Sequence, residues 1–108
     1  MQIQIRTDAI MNYAELHFDK SVDLSSLVLK ATQVAEESGF QVKVEQDGRI
    51  AGIILDKKYG LISIQAHMTY IVDESNFKIE YYPKMNLLSL LFWKSRARSL
   101  LSRIGQSC

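Results

Sequence analysis

Cysteine is nearly absent from this chain: Cys108, the last of 108 residues, is the only one. A disulfide framework within the chain is therefore excluded. Cys108 also cannot be a prenylation site, which needs three residues after the cysteine. An intermolecular disulfide or reactive thiol is its functional reading, and an inert terminal residue its plain one. Proline is equally scarce, with Pro83 alone, and no low-complexity stretch or repeat interrupts the chain, which argues against disorder away from the ends. The longest apolar cluster, Leu87–Trp93, is far short of the ~20 residues that span a bilayer. The alternating start, Met-Gln-Ile-Gln-Ile-Arg, is not a signal peptide. A cytoplasmic location is expected for the chain as it stands, and an envelope or periplasmic one if a leader precedes it.

Acidic residues are missing from the last quarter. Residues 1–80 hold all twelve acidic side chains and eight basic ones, a balance of −4; residues 81–108 hold Lys84, Lys94, Arg96, Arg98 and Arg103 and nothing acidic, a balance of +5. The net charge of +1 hides this asymmetry.

What is present fits one domain over 1–108, with 47% apolar and 23% charged residues. Two short N-terminal strands are expected within 1–22: Ile3 and Ile5 alternate with polar residues, and Tyr13, Glu15 and His17 alternate with Ala14, Leu16 and Phe18. A helix is expected over 23–38. Leu24, Leu27, Val28, Ala31, Val34 and Ala35 form an apolar stripe, Asp23 can cap its start and Gly39 its end. An antiparallel meander is expected over 40–82, with a hairpin at Asp47-Gly48, a turn over Asp56–Gly60, a long strand over 61–72, and a last strand carrying Phe77, Ile79 and Tyr81 on one side. Pro83 ends that strand. A second helix is expected over 87–104, with Leu90, Trp93, Ala97, Leu100, Leu101 and Ile104 on one face. The fold class is thus α+β: about four to five antiparallel strands packed on one amphipathic helix, with a second, basic helix at the C-terminus.

No catalytic constellation is legible. There is no Gly-rich phosphate loop, and no His/Cys/Asp/Glu cluster has metal-ligand spacing. His17, His67 and Glu80 could lie on one polar sheet face and make a conceivable small-enzyme site; ordinary polar residues on a solvated face explain them more simply. A non-enzymatic domain without cofactor or metal is expected.

The order of residues from Ala9 to Ile104 resembles a group of small bacterial envelope lipoproteins of unknown function. Ile10-Met11-Asn12-Tyr13, the paired Ala31 and Ala35, Gly39-Phe40, Gly48-Arg49-Ile50-Ala51, Phe77-Lys78-Ile79-Glu80-Tyr81 and Asn86-Leu87 carry the likeness, with Trp93, Leu101 and Ile104 standing for a final Trp-bearing helix. The resemblance implies an αβββα core and no catalytic residue. This chain shows neither the signal peptide nor the lipidated cysteine of that group.

The binding candidates are therefore Lys84, Trp93, Lys94, Arg96, Arg98 and Arg103. A basic amphipathic helix with aromatics near its start suits an acidic protein partner or an anionic membrane surface, with nucleic acid less favoured. Cations in the last turns of a helix would also simply favour its negative end. The rival functional reading is a self-assembling or host-protein-inhibiting small protein of phage or mobile-element type, a homodimer included, because one helix face cannot bury all of Leu87–Trp93.

Overall fold

The computed structural model describes residues 2–7, 12–18, 22–48, 50–73 and 76–107. Its strands are β1 (Gln2–Thr7), β2 (Asn12–Phe18), β3 (Gln41–Asp47), β4 (Ile50–Tyr59), β5 (Ile62–Asp73) and β6 (Asn76–Pro83). The helices are α1 (Leu24–Glu37), α2 (Leu87–Leu90) and α3 (Trp93–Ser107). All six strands join one antiparallel sheet in the order β1-β2-β6-β5-β4-β3. The class is α+β, as the pattern predicts, but the strands number six rather than four to five. The N-terminal hairpin is part of the main sheet, because β6 returns to pair with β2: Leu16 faces Ile79 and Ala14 faces Tyr81. Four strands, not three, separate α1 from the C-terminal helices.

Local chemistry sets the helix ends. The Asp23 Oδ2 accepts a hydrogen bond from the Ser26 N–H at 3.0 Å, filling one of the free donors of the first turn. At the other end Gly39 takes φ +91, a left-handed conformation that costs glycine nothing. This lets the Gly39 N–H reach the Glu36 carbonyl and the Phe40 N–H reach the Ala35 carbonyl. Phe40 then drops into the core.

Both long helices cover one face of the sheet, α1 over β3 and β4, and α3 over β2, β1 and β6. Alternation along each strand puts Ala14, Leu16, Ile53, Leu55, Met68, Tyr70, Ile79 and Tyr81 under them. The stripe Leu27, Ala31, Val34 and Ala35 comes down from α1, and Trp93, Ala97, Leu100, Leu101 and Ile104 from α3. The helices run antiparallel: Lys30 donates to the Ser107 carbonyl, while Arg103 donates to the Ser38 hydroxyl at 2.8 Å and the Glu37 carboxylate at 2.6 Å.

Two boundaries depart from the sequence pattern. β4 runs on through Tyr59, and the turn falls at Gly60-Leu61 instead of over Asp56–Gly60. The pairs Lys57 with Ile64 and Lys58 with Ser63 extend the hairpin. The single helix expected over 87–104 is broken. Leu91 is extended and Phe92 adopts φ 58, so the one-turn α2 and the long α3 meet at a corner. A left-handed phenylalanine costs about 1–2 kcal/mol. The corner is held by Asn86, whose Oδ1 caps α2 at the Ser89 N–H, and by Ser89, whose hydroxyl accepts the Gln65 N–H of β5 at 2.8 Å. Arg96 reaches back to the Ser89 and Leu91 carbonyls and satisfies the end of α2. Cys108, all of residues 8–11 between β1 and β2 (Ile10 and Met11 of the resemblance among them), Arg49 of the hairpin and residues 74–75 of the last turn lie outside the described residues.

Candidate functional site

The corner and the β4–β5 turn together form one end of the molecule. Ile62, Leu87, Leu88 and Leu91 line a shared apolar groove there, and Phe92 stands across from Tyr59 beside it. Leu61 is fully exposed at 105%, Leu87 at 86% and Phe92 at 75%, and Met85, Ile62, Leu91 and Tyr59 are exposed as well. Scattered surface leucines need no explanation, but a contiguous apolar end drawn from two separate segments does.

The same two segments, residues 57–62 and 84–96, carry Lys57, Lys58, Lys84, Lys94 and Arg96 and no acidic residue. Lys58, Lys84 and Lys94 are exposed. The helix break at Phe92 changes the meaning of the α3 charges. With the helix starting at Trp93, Lys94 and Arg96 lie in its first turn, at the positive end of its dipole. A cation there is disfavoured by about 0.3–1 kcal/mol. Stabilisation of a negative helix end therefore does not account for Lys94, whereas Arg96 serves the carbonyl end of α2.

The six candidates separate accordingly. Trp93 is 6% exposed and packs in the core with the α3 stripe. Arg103 is bound to α1 through Glu37 and Ser38. Arg96 is half-buried in the corner. Lys84 and Lys94 are exposed on either side of the α2 segment in the chain, Lys84 lining a groove with Ile54, His67 and Tyr82, and Arg98 lies one turn beyond Lys94 on the same exposed side of α3. The pattern misses Lys57, Lys58, Leu61 and Ile62. The available signal is an apolar Leu-Ile pair directly after Gly60, where a turn ordinarily carries polar residues.

The uncovered face of the sheet holds the histidines. Glu15 and Glu80 face each other across β2 and β6, and both are buried although no helix covers them. The Tyr13 and Tyr82 rings stack beside them at 5.3 Å, His17 Nε2 donates to Glu15 at 2.7 Å, and the Tyr82 hydroxyl donates to Glu80 at 2.8 Å. His67 instead lies over Gly52, where its Nε2 is 3.1 Å from the position a Cβ would take. His17, His67 and Glu80 thus share a face without converging, and among the described residues no three His, Cys, Asp or Glu side chains gather as a metal site would need. Burial raises the Tyr82 phenol well above its ordinary value, and the Glu80 carboxylate adds to the shift.

Burial alone would raise the Glu15 carboxyl. Hydrogen bonds from His17 and Tyr13 and the charge of Lys78 outweigh it and hold Glu15 below its usual value of 4.5. A carboxyl with a lowered folded pKa contributes stability above its unfolded pKa and loses it as the pH falls through the folded one. Urea midpoints measured from about pH 3 to about pH 7 are expected to decline on the acid side in the wild type, and less steeply in Glu15→Gln, which is also less stable near neutrality. Parallel curves would show that Glu15 contributes nothing to that decline.

No helix among the described residues is long and apolar enough to cross a membrane. No protein-family model, curated protein or solved structure matches this chain.

Proposed function

We propose that this domain is a non-enzymatic module that attaches to an anionic membrane surface through its α2–α3 corner and β4–β5 turn. The observation that carries this reading is the exposed apolar end itself, with Leu61, Leu87 and Phe92 projecting and Lys58, Lys84 and Lys94 around them. Apolar side chains that enter the headgroup boundary, ringed by long cations whose stems also lie along apolar surface, are what peripheral binding requires. Each lysine near an anionic surface contributes on the order of 1 kcal/mol, so these three contribute about 3 kcal/mol at low salt. A protein partner is less well served, because lysine is depleted in protein interfaces. The likeness to envelope lipoprotein domains is in keeping with a place beside a membrane.

Co-sedimentation with lipid vesicles tests the reading. The chain is expected to bind phosphatidylglycerol-containing vesicles, to bind pure phosphatidylcholine vesicles much less, and to be released as ionic strength rises. Absence of binding to the anionic vesicles at low salt would overturn it. Sedimentation of the chain alone as a dimer, with Leu87 protected, would favour the self-assembling reading instead.

A further inference from the structure

We infer that the cavity between α1, the end of β4 and the start of α3 is a binding site for a phosphate monoester bearing a small apolar or aromatic group. The cavity has a volume of about 310 Å³. That is at the low end of the ~300–1,000 Å³ typical of ligand pockets. Lys57 and Arg96 both line it, with Ser38, Ser95 and Ser99; the Ser38 hydroxyl already donates to the Val34 carbonyl and accepts from Arg103. Phe40, Ile64, Leu100, Phe92 and Tyr59 supply the rest of its wall.

What distinguishes the two cations is how they are held. The Lys57 ammonium donates to the Ser38 carbonyl at 3.0 Å and lies 5.9 Å from the centre of the Phe40 ring and 5.7 Å from that of Tyr59. Its stem crosses Gly39, where a Cβ would stand 3.0 Å from Lys57 Cε. The Arg96 guanidinium donates to the Ser89 and Leu91 carbonyls at 3.2 and 2.9 Å. Every one of these partners is neutral. Among the described residues neither cation forms an ion pair, and no carboxylate lines the cavity. In a chain with almost equal numbers of acidic and basic residues, 12 and 13, two cations fixed in one cavity without a counter-charge leave it strongly positive. Both retain N–H donors beyond those used here.

The ligand chemistry follows from the donors. Ser95 and Ser99 are exposed hydroxyls one turn apart on α3, on the same wall as Arg96. Guanidinium, ammonium and hydroxyl donors arranged around one space match an oxyanion with three free oxygens better than a planar carboxylate with two. The apolar wall gives an ester substituent a place that inorganic phosphate would leave unfilled. A soluble phosphate monoester and the headgroup of a phosphatidic acid share this chemistry. The inference stands apart from membrane attachment, since a soluble ester needs no bilayer.

Titration of the labelled chain by amide NMR with phenyl phosphate tests it. Saturable shifts are expected at Ser38, Ser95 and Ser99, with inorganic phosphate binding about tenfold more weakly. Lys57→Met is expected to weaken phenyl phosphate by about tenfold or more, and Ser99→Ala, on an exposed helix surface that tolerates alanine, by about threefold. Dihexanoyl phosphatidic acid, supplied as monomer, marks the lipid as the source if it binds more tightly than phenyl phosphate; the reverse order marks a soluble ester. No saturable shift at those amides overturns the site, as do wild-type affinities in both variants. Equal affinity for inorganic phosphate overturns the ester. Charge placed at Leu61 and Leu87, which do not line the cavity, leaves phenyl phosphate binding unchanged, so failure of this site and failure of membrane attachment are separable.

Discussion

Trp93→Ala is expected to destabilise the domain by about 3–5 kcal/mol, whereas Phe92→Ala, one residue earlier, changes stability little. The two aromatics are adjacent in sequence but opposite in environment. Trp93 opens α3 and points down with Ala97, Leu100, Leu101 and Ile104 onto the sheet, while Phe92 is 75% exposed at the corner. Truncating Trp93 removes the largest side chain of that stripe and leaves a cavity that the small neighbour Ala97 cannot fill. Domains have only about 5–15 kcal/mol of total stability, so the loss is a large fraction of it. Urea unfolding followed by circular dichroism measures it directly. A Trp93→Ala midpoint equal to wild type would mean that α3 does not close the core, and the apolar end would then have to be redrawn to include that helix face.

That either-or is where the sequence was ambiguous. The i, i+3, i+4, i+7 stripe of α1, its Asp23 cap and the glycine after it are readable because each uses a short-range rule. Strand alternation is equally readable, and it assigns Ala14, Leu16, Met68, Tyr70, Ile79 and Tyr81 to the covered face. Strand partners are another matter. A period of two says which way a side chain points and nothing about its neighbour, so the pairing of β2 with β6, which makes one sheet of two hairpin groups, has no local signal. The corner at Phe92 is hidden for a related reason. Neither glycine nor proline marks it, and the apolar spacing from Leu90 to Ile104 runs straight across it. Tertiary bonds through Ser89 and Arg96 hold it. Lys57 was hidden because a cation on the covered face looks like a break in the pattern and so like a turn. It is instead an inward-facing residue at the end of a strand, whose stem packs over Gly39.

The candidate site shows the same division. The acid-free stretch from Tyr81 onward is plain in the sequence. Only the fold joins its first half to the Tyr59–Ile62 turn, withdraws Trp93 and Arg103 into the structure, and leaves Lys84 and Lys94 beside exposed leucines.

Leu61→Asp combined with Leu87→Asp is expected to lower affinity for anionic vesicles by about a hundredfold or more while leaving the unfolding midpoint unchanged. Burying a leucine side chain contributes about 1.5–3 kcal/mol, so losing two removes at least about 3 kcal/mol, and each tenfold in affinity corresponds to about 1.4 kcal/mol. The added carboxylates also repel an anionic surface. Stability is spared because neither leucine is buried in the folded chain: the turn at Gly60-Leu61 and the exposed side of α2 have no core contact to lose. Lys84→Gln with Lys94→Gln should act differently. It removes about 2 kcal/mol at low salt, roughly a thirtyfold loss, and its effect fades as salt screens the lysines in the wild type. The two double variants therefore separate apolar insertion from charge attraction by their salt dependence. If both lose affinity in the same salt-dependent way, the leucines are passengers and the surface works by charge alone. If the leucine variant binds vesicles as the wild type does, this end of the molecule faces something other than a bilayer, and its exposed apolar residues await a protein surface or a second copy of the chain.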